Sequence, residues 1–315
     1  MFDLVIIGGS AVGSSAAIYA ARRKLNFKVV AKDLGGEVAL SGTVENWPGI
    51  KTIQGFELAK QFNEHMKSYD TPIDEGWEVT KITSEKKHHV VTAQNAVGET
   101  RTYETKTVII GSGIHPRKLG VPGEEQFLHK GITYCTVCDG PLFRNKVTAT
   151  IGSGNSALES ALMMAGIAKH VYLLSKYPNT KEKNFGFPPG ENVLVDKLKA
   201  LPNVEILYQS MTTEIVGDTK VKQLKYTDPN GEEKTIDIDG MMVHIGMTPN
   251  SWFIDHVEKN KQGEIITDKR CRTNVPGIFA AGDVTDISFK QIGIAAGQGI
   301  TAALSAIEYV NLWTE

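Results

Sequence analysis

The sequence of 315 residues lacks several features that would place it in a special class of protein. No apolar run approaches the roughly 20 residues that span a bilayer. No basic leader or small-residue cleavage site precedes the first apolar stretch. The formal net charge of -2 gives no electrostatic reason to bind nucleic acid or an anionic membrane. We therefore expect a cytoplasmic protein with neither nucleic acid nor membrane as a partner.

Cysteine is scarce, and its arrangement excludes a scaffold held together by disulfides. Three cysteines cannot build such a framework, and in a reducing compartment a close pair is more often catalytic or metal-binding than structural. Cys135 and Cys138 form such a pair, a Cys-x-x-Cys motif followed directly by Asp139. Cys271 stands alone, and we expect it to be a buried or incidental thiol.

The spacing of the cysteine pair suits exchange with a disulfide. One sulfur attacks as a thiolate and the second resolves the mixed disulfide, while Asp139 could take or give the proton. Structural zinc is an alternative, but zinc usually has four ligands and no second Cys-x-x-Cys exists. The pair His88 and His89 lies in a charged hairpin, where we expect a solvated face. We predict no metal, and a regulatory thiol switch remains open.

Two glycine-rich turns each follow a short apolar run and precede a predicted helix. Such a turn brings backbone N–H groups and a helix N-terminus onto a pyrophosphate. The first turn, residues 8–13, has Gly8 and Gly13 at its outer positions and Ser10 where the strict pattern has glycine. The acidic residue expected about 20 residues further on is best met by Asp33. The second turn, residues 152–157, has the form G-x-G-x-x-A.

The order of the predicted elements indicates an α/β fold with two Rossmann-like dinucleotide-binding domains, the second inserted into the first. A strand-helix-strand pattern begins the chain and restarts near residue 147. We predict an outer domain of residues 1–114 and 245–315 and an inserted domain of residues 115–244. Prolines near both crossings suit a two-strand linker. Three glycines in the late helix, at 293, 297 and 299, indicate close approach to a ligand or another backbone.

In these motifs the chain resembles the low-molecular-weight thioredoxin reductases over essentially its whole length. The matching stretches are Leu-Gly-Gly-Glu at 34–37, Val-Glu-Asn-Trp-Pro-Gly at 44–49, the redox motif at 135–140, Gly-Ile-Phe-Ala-Ala-Gly-Asp-Val at 277–284 and Lys-Gln-Ile at 290–292. The last stands where the family usually has Arg-Gln-Ala against the flavin. These motifs in this order are specific to the family.

The resemblance implies FAD in the outer domain and a pyridine nucleotide, NADPH or NADH, in the inserted domain. Cys138 would lie nearest the flavin, Cys135 would attack the partner's disulfide and Asp139 would serve as the acid. The partner would be thioredoxin or a similar small disulfide protein. A homodimer is implied, with a domain rotation that alternates access to the flavin between nicotinamide and dithiol.

The predicted cofactor-binding residues combine the glycine turns with this resemblance. For FAD they are Gly8, Gly9, Ser10, Ala11, Gly13, Asp33, Gly36, Glu37, Val38, Asn46, Val79, Gly111, Ser112, Gly113, Gly282, Asp283, Lys290, Gln291 and Ile292. For the nucleotide they are Gly152, Gly154, Asn155, Ser156, Ala157 and Lys176.

The chain departs from the family where the nucleotide's 2′-phosphate is usually bound. Ser175, Lys176 and Tyr177 replace a His-Arg-Arg patch, and the stretch after them, through residue 190, is longer than usual. Loss of two charge-assisted contacts, at roughly 1.5–3 kcal/mol each, would weaken NADPH by roughly two to four decades, of which Lys176 could restore part. Residues 111–113 read Gly-Ser-Gly where the family has Ala-Thr-Gly.

The main functional hypothesis is reduction of a protein disulfide by NAD(P)H through FAD and the dithiol. The alternatives are the same chemistry with another donor, NADH or ferredoxin, or with a peroxiredoxin-linked or glutaredoxin-like acceptor. Peroxide-linked relatives usually carry an N-terminal thioredoxin-like module, so a start at the first FAD strand argues against that acceptor unless the module is a separate protein. A flavin-binding redox sensor without catalysis stays open. A ferredoxin–NADP reductase is disfavoured because that group lacks the dithiol.

Overall fold

The computed structural model describes residues 1–41 and 43–314, apart from the side chains of Thr43 and Cys138. The chain forms two compact units, Met1–His115 with Thr248–Glu315, and Pro116–Met247. The first crossing lies one residue and the return three residues beyond the predicted positions. No helix of the described residues is long and apolar enough to cross a membrane.

The first unit begins with the predicted strand-helix-strand pattern and continues through an antiparallel extension. Its elements are β1 (Phe2–Ile7), α1 (Ala11–Arg22), β2 (Phe27–Ala31), α2 (Gly36–Leu40), β3 (Thr43–Val44), β4 (Ile53–Gln54), α3 (Gly55–Lys67), β5 (Ile73–Glu75), β6 (Trp77–Ser84), β7 (His89–Asn95), β8 (Thr100–Ile110) and β9 (Ile114–Pro116).

The second unit restarts the same pattern, and the chain then returns to the first. The second unit contains β10 (Ile132–Thr133), α4 (Thr136–Asp139), β11 (Val147–Ile151), α5 (Asn155–Ala165), β12 (His170–Leu174), α6 (Asn192–Lys199), β13 (Val204–Leu207), β14 (Met211–Gly217), β15 (Val221–Thr227), β16 (Glu233–Asp237) and β17 (Gly240–Val243). The return runs through β18 (Met247–Pro249) to β19 (Ile278–Ala280) and α7 (Ile292–Leu312).

The main sheet of the first unit has the order β5-β2-β1-β8-β7-β6, and β19 pairs with β8 as well. Strands β2, β1, β8 and β19 are parallel to one another, so both faces of this region are covered. Leu4 and Ile6 belong to the apolar cluster on one face, whereas Val5 and Ile7 belong to the cluster on the other.

Helices α1 and α7 pack closely because one glycine lets their backbones meet. A Cβ on Gly299 would lie 2.6 Å from the carbonyl oxygen of Val12, and Ser15 donates a hydrogen bond to the carbonyl of Ala296 at 3.0 Å. The prediction of close approach is therefore confirmed at Gly299. At Gly293 and Gly297 no described atom lies within 4 Å of an added Cβ.

The second unit is built on a five-stranded sheet of order β10-β17-β11-β12-β13 with a separate three-stranded antiparallel sheet, β14-β15-β16. The parallel pairing of β11 with β12 and β17 is that of a Rossmann-like unit. The Asp-Pro-Asn-Gly turn connects β15 to β16, as the hairpin signal predicts.

The expectation of a solvated face at His88 and His89 is wrong for His89. This residue begins β7 and is 4% exposed, on the inward side of an alternating strand. Its Nδ1 lies 2.9 Å from the Ser84 hydroxyl, and burial lowers the pKa of the ring to about 4. The side chain is therefore a neutral part of the core.

Candidate functional site

Four parallel strand ends of the first unit lie side by side at one edge of the sheet. Ile7 is paired with Val30 on one side and Ile110 on the other, and Ile110 is paired with Ala280. The segments that follow these strands therefore emerge together. They are the first glycine turn, residues 33–38, residues 111–113 and residues 282–283, which hold most of the residues predicted to bind FAD.

The first glycine turn is a cradle with no room for side chains. A Cβ on Gly13 would lie 1.9 Å from the Gly8 carbonyl oxygen, and one on Gly8, whose φ is +102°, would lie 2.4 Å from the Gly111 oxygen. Gly9 is equally confined, with Leu34 at 2.6 Å. Ala11 begins helix α1, so the turn directs the free N–H groups of that helix toward the sheet edge.

The neighbouring loop is held in place by hydrogen bonds from its own side chains. Asp33 Oδ1 accepts from the backbone N–H groups of Gly35 and Gly36 at 3.1 and 2.6 Å. Ser10 donates to the carbonyl of Gly35 at 2.8 Å. The serine that departs from the strict glycine pattern thus ties the turn to this loop, and one oxygen of Asp33 is already engaged.

Asn250 fixes residues 111–113 and was not predicted from the sequence. The Asn250 side-chain amide donates to the backbone carbonyl of Ser112 at 2.8 Å, and the backbone carbonyl of Asn250 accepts from the Ser112 hydroxyl at 2.6 Å. Its backbone N–H donates to the carbonyl of Gly113. The loop is therefore held from a segment more than 130 residues away, which no local pattern could reveal.

The late motif places an acid and an amide at the same edge. Gly282 donates its N–H to Gln298 Oε1 at 2.7 Å, and burial raises the pKa of Asp283. Asn46 donates to Gln291 Oε1 at 3.1 Å, which joins two predicted flavin contacts. Lys290, by contrast, is ion-paired to Glu264 at 2.9 Å.

Four other predicted residues have identifiable surroundings. Glu37 accepts a hydrogen bond from His115 Nδ1 at 2.7 Å, which raises the pKa of His115. Val38 and Val79 are buried in the two opposite apolar clusters of the sheet. Ile292 is the first residue of helix α7.

The redox motif lies in the second unit at the short helix α4. Cys135, just before the helix, is half-buried and disulfide-bonded, while the side chain of Cys138 lies outside the described part of the structure. Thr133 donates to Asp139 Oδ2 at 2.6 Å and accepts from the N–H of Cys135 at 3.0 Å. One hydroxyl therefore positions both the first cysteine and the predicted acid.

Buried hydrogen bonds between polar side chains connect helix α4 to the rest of the second unit. Thr136 Oγ1 lies 2.6 Å from the Ser160 hydroxyl and 2.8 Å from His244 Nε2. Burial lowers the pKa of His244 to about 4, so the imidazole is neutral at pH 7. Neither His244 nor Ser160 was predicted, because both are distant from the motif in sequence.

The second glycine turn lies between a strand and a helix, as predicted, and another segment of the same unit packs closely against it. Gly152 has a φ of +146°, and a Cβ there would lie 2.2 Å from the His244 carbonyl oxygen. Asn155 begins helix α5 and Ala157 is fully buried, whereas Ser156 and Lys176 are exposed. The Lys176 ammonium lies 5.3 Å from the Tyr177 ring centroid.

Other reactive groups lie apart from these sites. Cys271 is a free, buried thiol, as predicted, and burial raises its pKa to about 11. Within residues 1–41 and 43–314, no group of three or more His, Cys, Asp or Glu side chains is arranged to hold a metal ion.

Comparison with known proteins identifies the family. The model of the pyridine nucleotide-disulphide oxidoreductase family matches residues 2–299. The F subunit of alkyl hydroperoxide reductase from Staphylococcus aureus is 43% identical over 98% of this chain, which spans 59% of that relative's length. The crystal structure of thioredoxin reductase from Streptococcus pyogenes has a TM-score of 0.81 at 32% identity, covering 99% of both chains. That of thioredoxin reductase from T. acidophilum has a TM-score of 0.70 at 39% identity, with 99% of both chains covered.

These findings agree with the edge of the first unit, where a narrow glycine cradle and the start of helix α1 suit a dinucleotide pyrophosphate. The family pairs FAD with NAD(P)H, and the relatives and structures compared are all reductases. The chain therefore belongs to the pyridine nucleotide-disulphide oxidoreductase family.

Proposed function

We propose that this enzyme reduces the disulfide of a small protein, thioredoxin or one like it, through Cys135 and Cys138. The observation that carries the proposal is the hydrogen bond of 2.6 Å from Thr133 to Asp139, beside the disulfide-bonded Cys135. A structural disulfide has no use for a positioned carboxylate, whereas thiol exchange requires a group that moves protons.

Bound FAD, once the donor has reduced it, would supply the two electrons that, with two protons, convert a Cys135–Cys138 disulfide to a dithiol. Cys135, as thiolate, then attacks one sulfur of the partner's disulfide, and the other partner sulfur leaves as a thiolate. Cys138 attacks the sulfur of Cys135, which breaks the mixed disulfide and releases the second partner thiolate. Asp139, held by Thr133, delivers a proton to a leaving thiolate. The partner gains two electrons and two protons.

An apolar surface beside the dithiol supports a protein as the acceptor. Val137, inside the redox motif, is 72% exposed and Leu142, four residues after Cys138, is 69% exposed. Exposed apolar side chains next to a reactive group are typical of a surface that meets a partner. A small-molecule disulfide would not need to contact both Val137 and Leu142.

A second acceptor is favoured by the relatives, several of which are subunits of alkyl hydroperoxide reductases. The match to the Staphylococcus aureus protein is stronger in identity, 43%, than that to either thioredoxin reductase, 32% and 39%. The second candidate is therefore electron supply to a thioredoxin-like protein that serves a peroxide-reducing enzyme. Both candidates use the same dithiol and differ only in the docking protein.

Two classes of donor are compatible with the flavin chemistry. NAD(P)H is the nucleotide of the family, and a donor such as ferredoxin would require no nucleotide site. The choice between a nucleotide and a protein donor therefore depends on whether the second glycine turn can bind a nucleotide. We also propose that the enzyme is a homodimer and that it lies in the cytoplasm. Sedimentation analysis of the purified protein tests the dimer.

The test bypasses the donor. The FAD-loaded enzyme is photoreduced without oxygen and mixed with oxidised thioredoxin, and new thiols are counted by alkylation. We expect rapid reduction by the wild type and by Cys271→Ala, a control for loss of a buried thiol, and none by Cys138→Ser. Normal reduction by Cys138→Ser would refute the dithiol route. Replacing thioredoxin with an isolated thioredoxin-like module of a peroxide-reducing system decides between the two acceptors by the ratio of their rates.

A further inference from the structure

Residues 177–191 fold back onto the second glycine turn. They include residues 178–190, the stretch that the sequence predicts to be longer than usual in the family. Residues 181–186 form 3₁₀ turns that are interrupted at Asn184 and Phe185, whose φ angles are +45° and +53°, and the fully buried Phe187 anchors the segment. Asn184 donates to the carbonyls of Phe187 and Gly190 at 3.0 and 2.8 Å. We call it the 177–191 segment.

The segment covers the position that reads the nucleotide's ribose. In a Rossmann unit the residue at the end of the second strand binds the ribose hydroxyls or the 2′-phosphate. Here that residue is Ser175, which is fully buried. Its hydroxyl donates to the carbonyl of Gly186 and lies 3.1 Å from the Ser153 hydroxyl. The ribose position is thus filled by the chain itself.

The segment also reaches the place where a pyrophosphate approaches the turn. The second glycine of the motif leaves out its Cβ so that the backbone can meet the pyrophosphate. At Gly154 the one described atom within 4 Å of the missing Cβ is Cγ of Pro189, at 3.7 Å. Gly190 is fixed behind it, since a Cβ there would lie 2.6 Å from Leu158.

Glu191, an exposed residue of the segment, is hydrogen-bonded to Asn155, the first residue of helix α5. Glu191 Oε1 accepts from the Asn155 side chain at 2.9 Å, and the Glu191 N–H donates back to Asn155 Oδ1 at 2.8 Å. A helix N-terminus attracts negative charge, and the Glu191 carboxylate lies beside this one, bonded to the Asn155 side chain. A pyrophosphate would meet repulsion as well as the ring of Pro189.

We propose that the 177–191 segment closes the second glycine turn to nicotinamide dinucleotides, so that neither NADH nor NADPH binds there in the range that serves an enzyme. The ribose position, the pyrophosphate position and the helix start are each taken by a different part of one segment. NAD(P)H, the nucleotide of the family, therefore does not fit this turn. The proposal deepens the proposed function by excluding one donor class at this site.

The experiment measures binding directly, on the FAD-loaded wild type. Isothermal titration with NADH and with NADPH, up to about 5 mM, is expected to show no saturation, against the 1 μM to 1 mM range typical of enzyme substrates. Saturable binding of either nucleotide with a Kd below about 1 mM would overturn the proposal, whether binding equilibrium is reached quickly or slowly. Disulfide reduction by the photoreduced enzyme is a separate measurement, so failure of one proposal is distinguishable from failure of the other.

Matched variants test the segment itself. The double variant Pro189→Gly, Glu191→Gln removes the ring and the charge at the turn, and we expect it to bind NADH at least tenfold more tightly than the wild type. Glu182→Gln removes an exposed carboxylate elsewhere on the segment and is expected to match the wild type. Equal affinities in all three proteins, each checked for bound flavin, would show that the segment does not set the affinity.

Discussion

Replacing Thr133 with valine tests whether a positioned carboxylate assists the dithiol. The change keeps the branched shape but removes the hydroxyl that donates to Asp139 at 2.6 Å and accepts from the Cys135 N–H at 3.0 Å. A hydrogen bond to a charged group contributes about 1.5–3 kcal/mol. If all of it acts in the exchange step, the rate falls by roughly 10- to 150-fold, since about 1.4 kcal/mol is tenfold.

The assay mixes dithiol-reduced enzyme with excess oxidised thioredoxin and stops the reaction with acid and an alkylating agent. Thr133→Ser keeps the hydroxyl and is the matched control, expected within a few-fold of the wild type. Flavin content and flavin reduction by dithionite should be unchanged in both variants. If the valine variant reacts as fast as the wild type while the fold is intact, the carboxylate does not depend on Thr133 and the assignment of Asp139 loses its support.

Three further outcomes are expected. Gly13→Ala should abolish flavin binding, because its Cβ would lie 1.9 Å from a carbonyl oxygen. Gly297→Ala, inside helix α7 where no described atom lies within 4 Å of the added Cβ, should keep FAD and stabilise that helix by about 0.5–1 kcal/mol. Flavin absorbance at equal protein concentration compares the two variants. His89 has a folded-state pKa of about 4 against 6.5, so the fold should lose up to about 3 kcal/mol of stability as pH falls from 6.5 to 4, because only the unfolded chain takes up the proton there. Urea unfolding at pH 7 and 4.5 should show a smaller loss of stability for His89→Gln than for the wild type, and an equal loss would contradict the prediction. Leu142→Asp should raise the KM for thioredoxin without slowing reduction of a small aromatic disulfide, while Leu312→Asp, equally exposed, should change neither.

Much of the fold follows from patterns within about 30 residues. Each Rossmann-like unit is marked by an apolar run, glycines whose missing side chains the structure accounts for, and an alanine-rich helix. At Gly13 and Gly152 the reason is steric, since a Cβ would overlap a carbonyl oxygen of a neighbouring segment. Such local requirements are visible in sequence because only one residue type satisfies them.

The supporting contacts could not be predicted, because they join residues far apart in the chain. Asn250 holds the loop at residue 112 from 138 residues away. His244 reaches Thr136 from more than 100 residues away. Amides, hydroxyls and imidazoles occur at many positions, and their roles depend on which strand ends the topology brings together.

The burial of His89 could have been inferred from the strand pattern. His89, Val91 and Ala93 alternate with more exposed residues and point to one face of β7. The two lysines just before the histidines favoured a solvated hairpin instead. The period-2 pattern of the strand was the stronger physical signal, because the register of a strand fixes the side of every residue in it.

The central claim is that a flavin and one cysteine pair form a single electron path. Anaerobic titration of the FAD-loaded enzyme with dithionite measures this most directly. We predict that the wild type and Cys271→Ala take up about four electrons per chain, two for the flavin and two for the disulfide couple, and that Cys135→Ser takes up about two. Uptake of only two electrons by the wild type, with full bleaching of the flavin, would contradict the account.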